Sequence, residues 1–183
     1  MARPDIAAAI ADAGVRIGLI GRDQQTTDMP EWADLNEAFP ETDWDVRARG
    51  LGATPERPLV GAGEENLLCL AEDRYLGESI FVHELSHTIH EFGARVVDPT
   101  FEQRLVDAYF DASDAGLWAG TYAMENEAEY WAEGVQSFFD TNLSDDLQHN
   151  DIDSRTELEA YDPVLFALIV EIHGVPDWRP RCP

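Results

Sequence analysis

His83-Glu84-Leu85-Ser86-His87 lies within a longer run, Tyr75 to Phe92, in which Ile80, Leu85 and Ile89 recur at helical spacing. Phe81 and Phe92 flank them, and the pattern predicts one amphipathic helix broken at Gly93. An α-helix turns about 100° per residue, so positions four apart lie roughly 40° apart on one face. His83 and His87 can therefore point ring nitrogens at one ion. Glu84, one residue on, is angled toward a water on that ion. Zinc is the ion such a pair is expected to take. It needs a third protein ligand, with a fourth position left for water.

The third ligand has two possible sources. A metzincin supplies it as a His ten residues after the first, with a Gly between. Here position 90 is His and position 93 is Gly, so that arrangement fails. His90 is instead expected at the rim of the site or behind the ligands. The other source is a Glu from a separate helix, and the segment Glu125 to Asp140 reads as one. Glu129 and Glu133 share a face there, among the core-like Trp131, Phe138 and Phe139. An inward carboxylate is costly unless it is paired or binds a metal. Glu129 could equally complete a capping box with Asn126, or the acidic run could be a solvated face. The residues alone leave Glu125, Glu127, Glu129 and Glu133 open.

The two segments together resemble the catalytic domain of anthrax toxin lethal factor and the related Pro-Pro endopeptidases. That family carries His-Glu-x-x-His on one helix, a Glu ligand on a following helix and a Tyr seven residues before that Glu. Here Glu129 follows His83 by 46 residues, close to the family's gap, and Tyr122 precedes it by seven. The resemblance covers about residues 75 to 140. It implies a zincin-like domain and a zinc endopeptidase, with one Zn2+ on His83, His87 and Glu129. It implies Glu84 as general base, Tyr122 as donor to the oxyanion, and Glu133 as a carboxylate orienting a zinc ligand from behind. A catalytically silent zinc-binding module and a metal hydrolase of non-peptide substrates are the alternatives.

Outward from these segments, Pro4 to Ala13 reads as a helix closed by Gly14, and Val15 to Ile20 as a strand. Residues 22 to 58 are rich in Asp, Pro and Gly and read as loops with short pieces of structure, Val46 to Leu51 being a strand candidate. Asn66 to Leu70 is another, and is the expected edge for an extended substrate. A helix over Pro99 to Ala115, capped by Asp98, and a last one over about Thr156 to His173 complete the pattern. Strands first and helices after predict a single α+β domain. A short mixed sheet (residues 1 to 74) should pack on the active-site helix (75 to 93), followed by a helical part (98 to 174).

The 183 residues carry a formal charge of −25, and every basic residue is Arg. Such a surface repels nucleic acid and anionic membranes, so neither is an expected partner. Extended to the cleft, it favours basic residues in a peptide or protein substrate. The chain is expected to be a monomer. No run of about 18 apolar residues is present. Cys69 and Cys182 form a candidate disulfide that would tie the C-terminal tail to the body outside the cell. The expected location is therefore secreted or extracytoplasmic, with cytoplasmic as the alternative.

Overall fold

The computed structural model describes residues 3–144 and 146–179. Helix α1 (Pro4–Asp12) starts with Pro at its first turn and leads into strand β1 (Arg16–Ile20). Strands β2 (Gly50–Leu51) and β3 (Leu59–Gly63) complete a three-stranded mixed sheet in the order β1-β3-β2. β1 runs parallel to β3, with Arg16 opposite Leu59, and β2 runs antiparallel, with Leu51 opposite Gly61. The helical part comprises α2 (Ile80–Ile89), α3 (Phe101–Asp114), α4 (Glu127–Phe138), α5 (Arg155–Tyr161) and α6 (Pro163–His173). The architecture is α+β, and no described helix is long and apolar enough to cross a membrane.

Several expected elements shift, each for a local reason. The helix carrying His83 and His87 begins at Ile80, not Tyr75. Leu76 and Gly77 both take positive φ, and Ser79 caps the helix by accepting from the Val82 amide. Gly93 does not end it. The chain continues through a π-helical turn, His90–Ala94, in which a Cβ at Gly93 would come within 2.5 Å of Ile6 on α1. The glycine serves close packing there, not termination. Asn66 to Leu70 is not a strand, since Glu64–Leu67 forms one helical turn directly after β3. Of Val46 to Leu51 only Gly50–Leu51 is a strand, because Trp44–Arg47 forms a turn capped by Asp43. Asp98 does not cap α3. Its carboxylate accepts from the amide and hydroxyl of Thr100, the residue that holds the cap position. The last helix is split at Asp162-Pro163, where Asp162 caps α6 through the Leu165 amide and also accepts from the Trp118 indole and the Tyr130 hydroxyl. Cys182, one half of the expected disulfide, lies outside the described residues, which contain no free cysteine.

Two apolar cores result. The larger one joins α2, α3, α4 and α6 and includes Trp131, Phe101, Tyr130, Phe138 and Leu165. It also takes in Ile6, so α1 belongs with the helices and not with the sheet part. The smaller core, under the sheet, is Ile20, Trp32, Leu35 and Leu59, with Met29, Trp44 and Leu51 against it.

His173 sits in the larger core. Its ring stacks on Trp131 at 6.2 Å, and its Nε2 is buried without a hydrogen-bond partner among the described residues. Burial, helped by the Arg155 charge, pushes its pKa down to about 4. A His depressed in the folded state contributes full stability above its unfolded pKa, near 6.5. That contribution is lost as pH falls toward 4, at about 1.4 kcal/mol per unit and roughly 3 kcal/mol in all. His173→Phe is expected to show a distinctly smaller loss of stability between pH 7 and pH 4.5 in urea denaturation. Equal acid sensitivity in both proteins would refute this assignment.

Candidate metal centre

Helices α2 and α4 pack side by side. The indole of Trp131 on α4 is fully buried and donates to the Ser86 carbonyl of α2 at 3.0 Å, which pins the two together. That packing brings three side chains to one point. His83 Nε2 lies 3.0 Å from Glu129 Oε2 and 3.0 Å from His87 Nε2. His87 Nε2 lies 3.3 Å from the same carboxylate oxygen. A tetrahedral zinc ion with bonds of about 2.0–2.1 Å spaces its ligand atoms roughly 3.3 Å apart, so the triangle has the right size.

The protons support the same reading. His83 Nδ1 is 2.8 Å from Gln136 Oε1. The Gln136 amide is oriented by its other end, where Nε2 donates to Glu78 Oε1 at 2.9 Å and to the Ser79 carbonyl at 3.2 Å. Nδ1 therefore carries a hydrogen, and in the neutral form of the ring, the one a metal would bind, Nε2 presents a lone pair. That lone pair faces a carboxylate and a second imidazole nitrogen in a largely buried place. A single proton can bridge only one of these contacts, whereas a divalent cation satisfies all three.

The ionisation of these groups expresses the same demand for positive charge. Burial alone would lower the His83 pKa, but the hydrogen bond with Glu129 and the nearby Glu133 and Glu84 carboxylates hold it well above the ordinary value. Burial alone would raise Glu129, yet its contacts with His83 and His87 hold it far below the usual carboxylate range.

Behind His83 lies an outer layer. Glu133, 2 % exposed, places Oε1 at 3.4 Å from His83 Nδ1, and its Oε2 accepts from Asn142 at 3.0 Å. His149 stands 3.4 Å from Glu133 Oε2, and its Nδ1 is held by Asp146 at 2.9 Å. Burial raises the pKa of Glu78 on the same side. Glu78, His83 and Glu133 also come close enough together to hold a cation. The Nδ1 side of His83 is, however, already taken up by Gln136, so these carboxylates serve the ring from behind.

The capping alternative for Glu129 resolves into two functions of one residue. The Asn126 side chain accepts from the amides of Ala128 and Glu129, so the cap uses only the Glu129 backbone. Its carboxylate remains on the histidines. Tyr122 sits on a single 3-10 turn, Tyr122–Met124, just before α4, with its ring centroid 6.2 Å from that of His83. Burial and the Glu129 carboxylate push its pKa up, which keeps the hydroxyl proton in place as a donor. Glu84 is half-buried and lines the same cleft. Glu125 and Glu127 do not belong to the ligand group.

His90 does not join the centre. It is one turn beyond His87, where its Nε2 meets Glu102 of α3 at 2.7 Å and its ring lies against Phe101 and Trp131. Gln136, Glu78 and His149 were not singled out by the sequence reading. For Gln136 a signal existed, because positions 129, 133 and 136 form one helical stripe. For Glu78 and His149 none did.

The cleft has a volume of about 730 Å³. The residues between Trp44 and Thr54 form one wall, and α2 with the Tyr122–Glu129 segment forms the other. The sheet edge beside it is β2, whereas Asn66 to Leu70, the expected edge, is not a strand. A side chain at Gly52 would come 3.3 Å from Glu84 Oε2 and 3.4 Å from the His87 Cβ, so glycine here keeps the approach to Glu84 uncrowded.

Gln136→Leu is expected to weaken zinc binding about 10- to 100-fold, because the ring loses the acceptor that fixes its tautomer. Competition with a chromophoric chelator measures this. An unchanged affinity would remove Gln136 from the arrangement.

Compared with known proteins, the chain matches no protein-family model, no curated protein and no solved structure.

Proposed function

We propose that the protein is a zinc-dependent endopeptidase. The observation that carries this reading is the convergence of His83 Nε2, His87 Nε2 and Glu129 Oε2, with the His83 tautomer fixed by Gln136. An open cleft with a short sheet edge beside these atoms supports a peptide as the substrate class. The presence of Glu84 and Tyr122 in the same cleft matches the site plan implied by the lethal-factor resemblance.

In this reading zinc, when bound, polarises the substrate carbonyl and makes a bound water more acidic. Glu84 takes the proton from the attacking water and returns it to the leaving amine. Tyr122 donates its hydroxyl hydrogen to the developing oxyanion. Glu133 and Gln136 hold the His83 ring in register throughout.

Elemental analysis and peptide cleavage test the proposal together. The wild type is expected to retain about one zinc per chain and Glu129→Ala to lose it. Cleavage of a peptide library should stop with a chelator and return with zinc. Equal zinc in both proteins removes Glu129 as a ligand. Cleavage that persists in the chelator removes the mechanism.

A further inference from the structure

The chain contains 37 acidic residues and 12 arginines, so a guanidinium without a carboxylate partner is unexpected. Of the eleven described arginines, eight form an ion pair with Asp or Glu. Arg74 and Arg155 donate to backbone carbonyls. Arg47 does neither, among the described residues. It is exposed, it lines the cleft, and its guanidinium lies 5.2 Å from the Trp44 ring centre.

The nearest acids in sequence are already committed. Asp43 caps its own turn by accepting from the Val46 amide, and Asp45 accepts from the amide and hydroxyl of Thr27. Arg49, two residues on, is locked to Glu65 at 2.6 Å. Stacking on Trp44 therefore holds Arg47 at the cleft while leaving its donors free.

We infer that Arg47 receives a carboxylate of the bound substrate, so that the cleft selects peptides bearing an acidic side chain or a free C-terminal carboxylate near the cleaved bond. This rests on the peptidase reading above, and it reverses the expectation from net charge that the cleft favours basic residues. A guanidinium fork and a carboxylate form paired, charge-assisted hydrogen bonds that a neutral amide cannot match.

The test measures binding of labelled peptides to zinc-loaded Glu84→Gln protein, with and without Arg47→Gln or Arg47→Glu. Zinc content and melting temperature are checked for each variant. One peptide is scanned with Glu or Gln at each position, and its free C-terminus is compared with the amide. The expected result is about tenfold tighter binding of one carboxylate form. That preference should vanish in Arg47→Gln and turn toward Lys-substituted peptides in Arg47→Glu. A Glu preference identifies a side chain as the ligand, and a preference for the free terminus identifies the terminal carboxylate. Either outcome supports the inference. No preference, or one unchanged by the Arg47 substitutions, overturns it while wild-type cleavage of peptides still stands. If the wild type neither binds nor cleaves any peptide, the peptidase reading falls, and the inference falls with it.

Discussion

Glu84→Gln is expected to leave a folded, zinc-loaded protein that no longer turns over peptides. The substitution preserves shape and removes only the proton acceptor. The three-atom ligand triangle does not use Glu84, so metal affinity should be retained. The backbone of Glu84 accepts from the Thr88 hydroxyl at 3.0 Å, a contact the substitution does not touch. Its side chain forms no ion pair among the described residues, so the fold loses little. The loss should appear in kcat/KM, on the order of 10²–10⁴-fold, which is what a positioned general base contributes. Zinc content and melting temperature should match the wild type. Activity within about threefold of the wild type would reassign the base.

Trp131→Ala carries the largest expected cost to stability. The side chain is fully buried, meets Phe101 edge-on at 5.4 Å and stacks on His173. Its truncation removes a large apolar volume and leaves a cavity, at a cost of about 3–5 kcal/mol. It also strips the Ser86 carbonyl of its buried donor. Domains of this size have roughly 5–15 kcal/mol to lose, so the urea midpoint should fall by more than about 1 M. The damage should extend to metal binding, because Trp131 fixes the seam across which Glu129 meets His83. A loss under about 1 kcal/mol would mean that the helices are docked by something else.

The parts of the fold that were legible in the sequence are those governed by local rules. The helical repeat around His83, the Pro at the start of α1 and the strand at Arg16–Ile20 needed only periodicity and capping. The α+β class followed from the order of elements. The residues between 44 and 70 were misread because their apolar side chains are set by a three-stranded sheet whose register no local pattern encodes. Leu59–Gly63, with two glycines in five residues, lacks a strong strand signature, yet it forms the central strand because its neighbours cover both edges. At the site, His83, Glu84 and His87 were legible because a helix fixes their geometry in advance. The choice of Glu129 over its three neighbours depended on how α4 rolls against α2, which is a tertiary property. Arg47 and His149 were invisible for the same reason, since each reaches the cleft from a segment without periodicity.

The cleft is walled on one side by helices anchored in the large core and on the other by a segment resting on the small one. His83, His87, Glu129, Glu84 and Tyr122 all belong to the first wall. The second wall holds Trp44, Arg47 and the short edge strand, supported by the separate cluster of Ile20, Trp32, Leu35 and Leu59. Trp44 and Arg47 stand outside the group of His83, His87 and Glu129, whereas Gly52 of the same wall packs directly against Glu84 and His87. On the peptidase proposal, substitutions at Trp44 and Arg47 would alter which substrate is held while the three-atom group on the helices keeps its geometry.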